Sequence, residues 1–346
     1  MDLELYGWTP RLQFLANEAG GGVPARIVSQ DKGLYRAVSE ECELSASVSG
    51  AFRYRAVANA DYPAVGDFVL LDVKGELGVI KELLPRSSVF VRKASGTSRE
   101  EQVVAANVDT VFLCMALNND FNLRRLERYL SVAWESGATP VVVLTKADLC
   151  GDLEERRREV EAIAMGTELL VTSALEEDGY AQILPFLKEG KTAAFLGSSG
   201  VGKSTLINKL LGEEKQETNG LRNDDKGRHT TTKRELLLLP TGGIVIDTPG
   251  MRELGMWDAG SGVEKAFSDI AELARGCRFG DCTHTSEPGC AVRAAIEAGE
   301  LTQERFSSYQ KLQAENALAK DSASFLQAKE KKMKEIAKIN IGNKKM

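Results

Sequence analysis

The order of five short segments constrains this chain more than any other feature of it. Thr145-Lys-Ala-Asp148 and Ser173-Ala174 come first, Gly197-Ser-Ser-Gly-Val-Gly-Lys-Ser204 follows, and His229-Thr-Thr-Thr232 and Asp247-Thr-Pro-Gly250 come last. The Gly-rich segment matches G-x-x-x-x-G-K-S. An apolar strand-like run (Thr192–Leu196) stands before it and an apolar helical run (Thr205–Leu211) after it, the setting that a phosphate-cradling loop requires. The two base-reading segments stand ahead of the three phosphate-reading ones, the reverse of the ordinary arrangement. Such a chain has its termini moved, with the new end just after Asp247-Thr-Pro-Gly250. Whatever is attached there is expected to sense the nucleotide.

Each segment has a chemical task. Gly197, Ser198, Ser199, Gly200, Val201 and Gly202 supply backbone N–H groups around the phosphates, and Thr205 continues the loop into the helix. Lys203 is placed to neutralise the β- and γ-phosphates and Ser204 to ligate Mg²⁺. The helix N-terminus adds its dipole. Asp247 ends an apolar strand and is expected to hold Mg²⁺ through water, with the Gly250 N–H at the γ-phosphate. Thr231 is the residue expected to complete the Mg²⁺ shell when a γ-phosphate is present.

Thr145-Lys-Ala-Asp148 ends another apolar run, Val141–Leu144. The Asp148 carboxylate can accept from both N1–H and the N2 amino group of guanine. Lys146 can lay its stem over the base. The first residue of such a segment is ordinarily Asn, so Thr145 lacks a supporting amide. Ser173 and Ala174 are placed to bring a backbone N–H to the guanine oxygen. Met251 follows Gly250 where a water-orienting Gln often stands, and an apolar side chain cannot orient water. His229 is the candidate for that work; the alternative is an exposed loop residue or a partner contact.

Cys277-x₄-Cys282-x-His284-x₅-Cys290 offers three thiolates and one imidazole within fourteen residues. That is a complete tetrahedral set with no open position, which reads as one structural Zn²⁺. The other cysteines, Cys42, Cys114 and Cys150, are scattered, so a disulfide framework is the poorer reading.

Around these motifs the chain divides into three expected domains: 1–100, 101–256 and 257–346. The first has short runs (Val23–Val28, Leu34–Val38, Ala51–Val57, Asp67–Asp72, Gly78–Leu84) separated by turn residues, which read as strands of a small all-β barrel. Phe52 and Tyr54 alternate with Arg53 and Arg55, placing them on opposite faces of one such strand. Phe52, Tyr54, Phe68 and Phe90 could stack on bases as in some small barrels, but most of them suit core packing better. From Glu101 onward strands alternate with helices, as in a mostly parallel sheet covered on both faces. Residues 212–232 are polar and without periodicity, which reads as a functional loop. The last domain is helical and ends in a tail, Lys329 to Met346, with seven Lys against two Glu. A solvated tail is the plainer reading, contact with RNA the other.

The net charge of −6 argues against a uniformly basic nucleic-acid binder but leaves room for local basic patches. No apolar run is long enough to span a bilayer, and Met1 to Pro10 has no basic start before an apolar stretch. A cytoplasmic location is expected, with no membrane and no DNA partner.

Motif order, the leading β segment and the trailing Cys/His set together resemble the ribosome small-subunit-dependent GTPase family known as RsgA or YjeQ. Arg92-Lys-Ala-Ser-Gly96 resembles the link that leaves that family's barrel. The resemblance covers nearly the whole chain. It implies an N-terminal oligonucleotide/oligosaccharide-binding (OB) barrel, a circularly permuted P-loop GTPase domain and a C-terminal zinc-binding helical domain. It further implies GTP hydrolysis to GDP, stimulated by the small ribosomal subunit and its rRNA, in a late-acting assembly factor released after turnover; a monomer is expected. The family's zinc ligands fall on Cys277, Cys282, His284 and Cys290, its phosphate-loop pair on Lys203 and Ser204, its guanine Asp on Asp148 and its proposed catalytic His on His229. One rival reading is an RNA-binding scaffold whose nucleotide site is a passive clamp. Another is a metabolic NTPase, for which no second-substrate signature is visible.

Overall fold

The structure is a computed structural model describing residues 1–346 except 32, 94–100, 175, 177, 213–233, 248–259 and 320–346. His229, Thr231, Gly250, Met251 and the basic tail therefore lie outside the described residues, as do residues 212–232 beyond Gly212.

Helix α1 (Pro10–Glu18) opens the chain, its first turn closed by the Thr9 hydroxyl accepting from Leu12 N–H at 3.3 Å. Five strands then close into a barrel: β1 (Val23–Asp31), β2 (Leu34–Ser39), β3 (Glu43–Val48), β4 (Phe68–Lys74) and β5 (Leu77–Leu83). Their order is β1-β2-β3-β5-β4 with β4 returning to β1, and only β3 and β5 run parallel. Closure pairs every strand on both sides, which removes exposed edges. Alternate residues point inward: Ala25 and Ile27, Tyr35 and Ala37, Leu44 and Ala46, Val69 and Leu71.

One expected strand is a helix. Residues Gly50–Arg55 form α2, between β3 and β4, where Ala51–Val57 reads as a strand. Ser49 decides it: its hydroxyl accepts from Phe52 N–H at 3.0 Å, an N-cap that starts a helix. A four-residue alternation is too short to set the period, and only Phe52 of the four is buried. Of the aromatics named above, Phe52, Phe68 and Phe90 are core, and Tyr54 is exposed. The strand actually used, β3, is built of Leu44, Ala46 and Val48 facing in and Ser45 and Ser47 between them, a composition of weak β-propensity.

Strands β6 (Val89–Lys93) and β7 (Glu101–Ala106) pair antiparallel. Then β8 (Thr110–Ala116), α3 (Leu123–Ser136), β9 (Thr139–Thr145), α4 (Leu153–Ile163), β10 (Glu168–Val171), β11 (Thr192–Leu196), α5 (Lys203–Leu211), β12 (Arg234–Leu238) and β13 (Ile244–Asp247) build the central domain. The sheet order is β10-β9-β8-β11-β13-β12, parallel except for β12. Strand β8 is buried along its whole length, as a doubly covered parallel sheet demands. Val111, Leu113 and Met115 meet the layer of α3, while Phe112, Cys114 and Ala116 meet that of α5. Helix α3 starts at Asn122, whose side chain accepts from Arg125 N–H at 3.0 Å, and buries Leu126, Tyr129, Leu130 and Ala133. The three larger side chains each contribute about 1.5–3 kcal/mol.

The barrel is welded to this sheet. β1 pairs antiparallel with β12 (Ser29 opposite Glu235, Gln30 opposite Arg234), so one ladder runs through both domains. Beneath the seam lies Arg26, 1% exposed. Its guanidinium donates to Tyr6 O at 2.7 Å, Gly66 O at 3.2 Å and Asn107 O at 3.3 Å, and stacks on Phe68. Burial pushes its pKa down to about 10. Gly66, at φ +93°, passes so close to the central domain that a Cβ would stand 2.1 Å from Ala106 O.

The C-terminal part consists of α6 (Gly260–Ala266), α7 (Ser268–Ala274), α8 (Ala291–Ala298) and α9 (residues 303–319); α6 packs against α3, and α7 against α6 and α8. Glu127 of α3 is fully buried and pairs with Arg305 at 3.0 Å and with Arg124. Arg305 also grips Asp269 with two bonds, at 2.6 and 2.7 Å, and stacks on Phe267. Arg128 clasps Glu315 at 2.6 and 2.9 Å.

Candidate functional site

The loop from Gly197 to Gly202 leaves β11 and opens α5. Gly200 (φ 75°) and Gly202 (φ 104°) take left-handed conformations that a side chain would strain. Gly202 caps α5 without a side chain, so the first amides of α5 face the loop's concavity, as an anion site needs. Lys203 Nζ folds back over the loop, donating to Gly197 O at 2.5 Å and Ser198 O at 2.6 Å. Ser204 and Thr205 sit half-buried in the first turn, and Ser199 is exposed at the loop's rim. Asp247 ends β13, the strand beside β11, with Ile246 in register with Ala194. It therefore stands at the same sheet edge as the loop.

Thr145–Asp148 and Ser173-Ala174 reach that edge from β9 and β10. Thr145 bonds the Gly-rich loop. Its hydroxyl, 3% exposed, donates to Val201 O at 2.6 Å and so ties the two loops directly. Lys146 takes a left-handed conformation (φ 57°) that turns the chain out of the strand. Asp148 is exposed, and the buried Ser173 donates its hydroxyl to Asp148 Oδ1 at 2.7 Å. Ala147 N–H bonds Thr172 O, so the two segments share a backbone contact. Ser173 N–H is occupied by Gly179 O at 3.1 Å; Ala174 follows it, half-buried.

Sequence reading missed the layer behind the phosphate loop. Ser198 Oγ donates to the Asp120 carboxylate and accepts from Arg125 Nη1 at 3.1 Å, while Arg125 pairs with Asp120 at 2.8 Å. Cys114 lies buried nearby, and burial pushes its thiol up to about 12. The only local signal was the Asn122 helix start, which places Asp120 and Arg125 around one cap but does not say what they face.

Away from this edge, Cys277, Cys282, His284 and Cys290 bring one ligand atom each to within 4.8 Å of one another. Cys277 Sγ lies 3.5 Å from His284 Nδ1 and 3.9 Å from Cys290 Sγ, and Cys290 Sγ lies 3.4 Å from His284 Nδ1. Metal–ligand lengths of about 2.3 Å to sulfur and 2.0–2.1 Å to nitrogen give tetrahedral edges of about 3.5–3.8 Å, so the donor set fits zinc. Burial opposes ionisation of Cys277, but N–H groups of Val292 and Ala291 hold its thiol below the ordinary range. Cys290 doubles as the N-cap of α8, accepting from Arg293 N–H at 3.4 Å.

Fold and site together define a P-loop nucleotide-binding protein of circularly permuted order, with a closed β-barrel before it and a Cys₃His cluster behind. The sequence model described as "RsgA GTPase" matches residues 83–257. The small ribosomal subunit biogenesis GTPase RsgA 2 of Lactiplantibacillus plantarum is 49% identical over 317 residues, covering 91% of this chain and 89% of that protein. The RsgA of Opitutus terrae is 48% identical over 309 residues, covering 86% and 84%. Among solved structures, YjeQ from Thermotoga maritima matches with a TM-score of 0.63 at 29% identity, covering 85% of this chain and 98% of that one. YloQ, described as a circularly permuted GTPase, matches with 0.61 at 26% identity, covering 86% and 96%. The chain belongs to the RsgA GTPase family.

Proposed function

We propose that this protein is a GTPase acting late in the assembly of the small ribosomal subunit, binding the subunit through its rRNA and leaving after GTP is hydrolysed to GDP and phosphate. The observation that carries the reading is the Thr145–Val201 bond. It joins a guanine-type segment to the phosphate loop across the permuted order, in a chain that matches its relatives along nearly their full length.

In this reading Asp148 accepts from the guanine edge, with Ser173 holding the carboxylate, and Lys146 covers the base. The Ser173 N–H is occupied, so the amide for the guanine oxygen falls to Ala174. Lys203 exchanges its bonds to Gly197 O and Ser198 O for phosphate oxygens. Charge developing as water attacks the γ-phosphate in line is met by Lys203 and the loop amides, which are fixed beforehand by the glycines and by Thr145. Ser204 and Asp247 are hard oxygen donors at one sheet edge, suited to Mg²⁺, which when bound neutralises charge on the β- and γ-phosphates. His229 is assigned the orientation of water, Thr231 the closing of the Mg²⁺ shell, and Gly250 the γ-phosphate amide. Cys277, Cys282, His284 and Cys290 hold one structural Zn²⁺. Domains of 1–100, 101–256 and 257–346, a monomeric state and a cytoplasmic location complete the reading. No helix among the described residues is long and apolar enough to cross a membrane.

The test is GTP and ATP turnover of the purified protein with and without small ribosomal subunits. A rise confined to GTP and to added subunits is expected. Equal turnover in all conditions would sink the reading.

A further inference from the structure

We infer that the cleft between the first turn of α3 and the facing side of α9 binds a backbone phosphate of RNA, and that its occupancy is felt at the phosphate loop through Arg125. The inference rests on the small-subunit reading above and adds a site to it.

The cleft encloses about 210 Å³ and is lined by Arg124, Arg125, Arg128 and Lys311, with Asn122 and Ser308 between them. Four cations line it and no acid does. In a chain of net charge −6 this is a local concentration, not a reflection of composition. Three of the four cations are held by acids outside the lining. Glu127 holds Arg124, Asp120 holds Arg125 and Glu315 holds Arg128. These pairs orient the guanidinium groups without using them up. A guanidinium carries five N–H donors, and among the described contacts Arg124 and Arg125 donate only through Nη1. Lys311 forms no ion pair among the described residues; Glu315, whose carboxyl feels its charge, is already held by Arg128. The first turn of a fourteen-residue helix adds its dipole in the same sense.

Planar forks and an ammonium around a small cleft that Leu312 also lines are chemistry for a phosphate. No aromatic side chain lines the cleft, so a base finds nothing to stack on and the site reads backbone, not sequence. It opens between the central and C-terminal parts of the chain, where a strand of RNA can lie across both.

Arg125 links the cleft to the nucleotide. Its Nη1 bonds Asp120 and Ser198 Oγ, and the carbonyl of Ser198 holds Lys203. A phosphate engaging the remaining donors of Arg125 draws the guanidinium toward the cleft and loosens its hold on Ser198. An RNA contact is thereby transmitted to the loop that carries Lys203.

The test measures binding of the full-length protein to purified small ribosomal subunits with a non-hydrolysable GTP analogue, across a series of KCl concentrations. The slope of log affinity against log salt counts phosphate contacts. Lys311→Gln is expected to reduce the slope by about 1, and Lys311→Gln with Arg124→Gln by about 2. Lys311→Arg keeps the wild-type slope and shows that the position tolerates substitution. A double variant with the wild-type slope and affinity overturns the cleft proposal while leaving the function intact. A cleft that takes only free phosphate is recognised by added inorganic phosphate raising the wild-type Tm but not the variant's, with subunit binding unchanged, and this too overturns it. Wild-type protein that binds no subunit overturns the parent reading and this one with it.

Discussion

Thr145 Oγ1 stands 2.6 Å from the carbonyl oxygen of Val201, so the end of β9 and the phosphate loop are one hydrogen-bonded unit. The two segments are fifty-six residues apart in sequence and meet only because β9 and β11 both flank β8. In a permuted chain such contacts replace chain continuity as the means of keeping base and phosphate subsites in register.

Thr145→Val keeps the shape and removes the donor. A buried carbonyl left unpaired costs about 1–3 kcal/mol, and every 1.4 kcal/mol is about tenfold in affinity. GDP binding by titration calorimetry is expected to weaken by about tenfold, while Thr145→Ser stays near wild type. Affinity within twofold of wild type for the Val variant would remove the brace.

Arg305 and Glu127 make the corresponding joint between α3 and the C-terminal helices. Glu127 is fully buried, with one carboxylate oxygen already lacking a partner. Arg305→Met leaves the buried Glu127 with Arg124 alone and removes both bonds to Asp269. Breaking a buried pair from one side costs about 3–5 kcal/mol, whereas replacing both partners by apolar groups is often close to neutral. The urea midpoint is expected to fall sharply for Arg305→Met and to recover in large part when Glu127→Leu is added. A single variant as stable as wild type would contradict this account.

Glu315 carries a pH dependence. The hydrogen bond from Arg128 is the chief cause holding its carboxyl below the ordinary value of 4.5, with burial opposing. A carboxyl whose folded pKa lies below its unfolded one stabilises the fold above the unfolded pKa and loses that contribution as pH falls through the folded one. Hydrogen exchange of α9 is therefore expected to rise as pH drops below about 4.5 relative to α3, after correction for the intrinsic rate. Glu315→Gln should abolish the pH dependence and leave α9 looser throughout. Equal protection of α9 across that range in both proteins would count against the clasp.

The parts of this molecule that were legible in the sequence are those where a local pattern meets a local rule. β9, β11 and β13 are apolar runs ended by a motif, and the four metal-ligand residues lie within fourteen positions of one another. α2 was misread because Phe52 to Arg55 alternates like a strand, while the deciding residue, Ser49, stands outside the alternation. The Thr145 brace, the Asp120–Arg125–Ser198 layer and the Arg26 hub were out of reach for a different reason. Each depends on a partner that only the topology supplies: Val201, Ser198, Gly66 and Asn107. Polar residues at such joints look like ordinary surface residues until the sheet order is known.

The Cys₃His cluster makes the sharpest chemical prediction. Its side chains come from the segment between α7 and α8 and from the N-cap of α8, and Phe306 of α9 packs edge-on against His284. That segment lacks regular secondary structure, so the cluster fixes its path together with Glu287, which accepts from the N–H groups of Thr283, Thr285 and Ser286, and closed sites of this kind contribute folding energy directly. One equivalent of zinc is expected by elemental analysis, lost on Cys282→Ser or on prolonged chelation. Loss should lower the thermal midpoint and expose α8 and α9 to proteolysis. Most of GDP affinity should survive, because no nucleotide-site residue touches the cluster among the described contacts. Zinc-free protein with unchanged protease resistance would show that α7, α8 and α9 hold together without the metal.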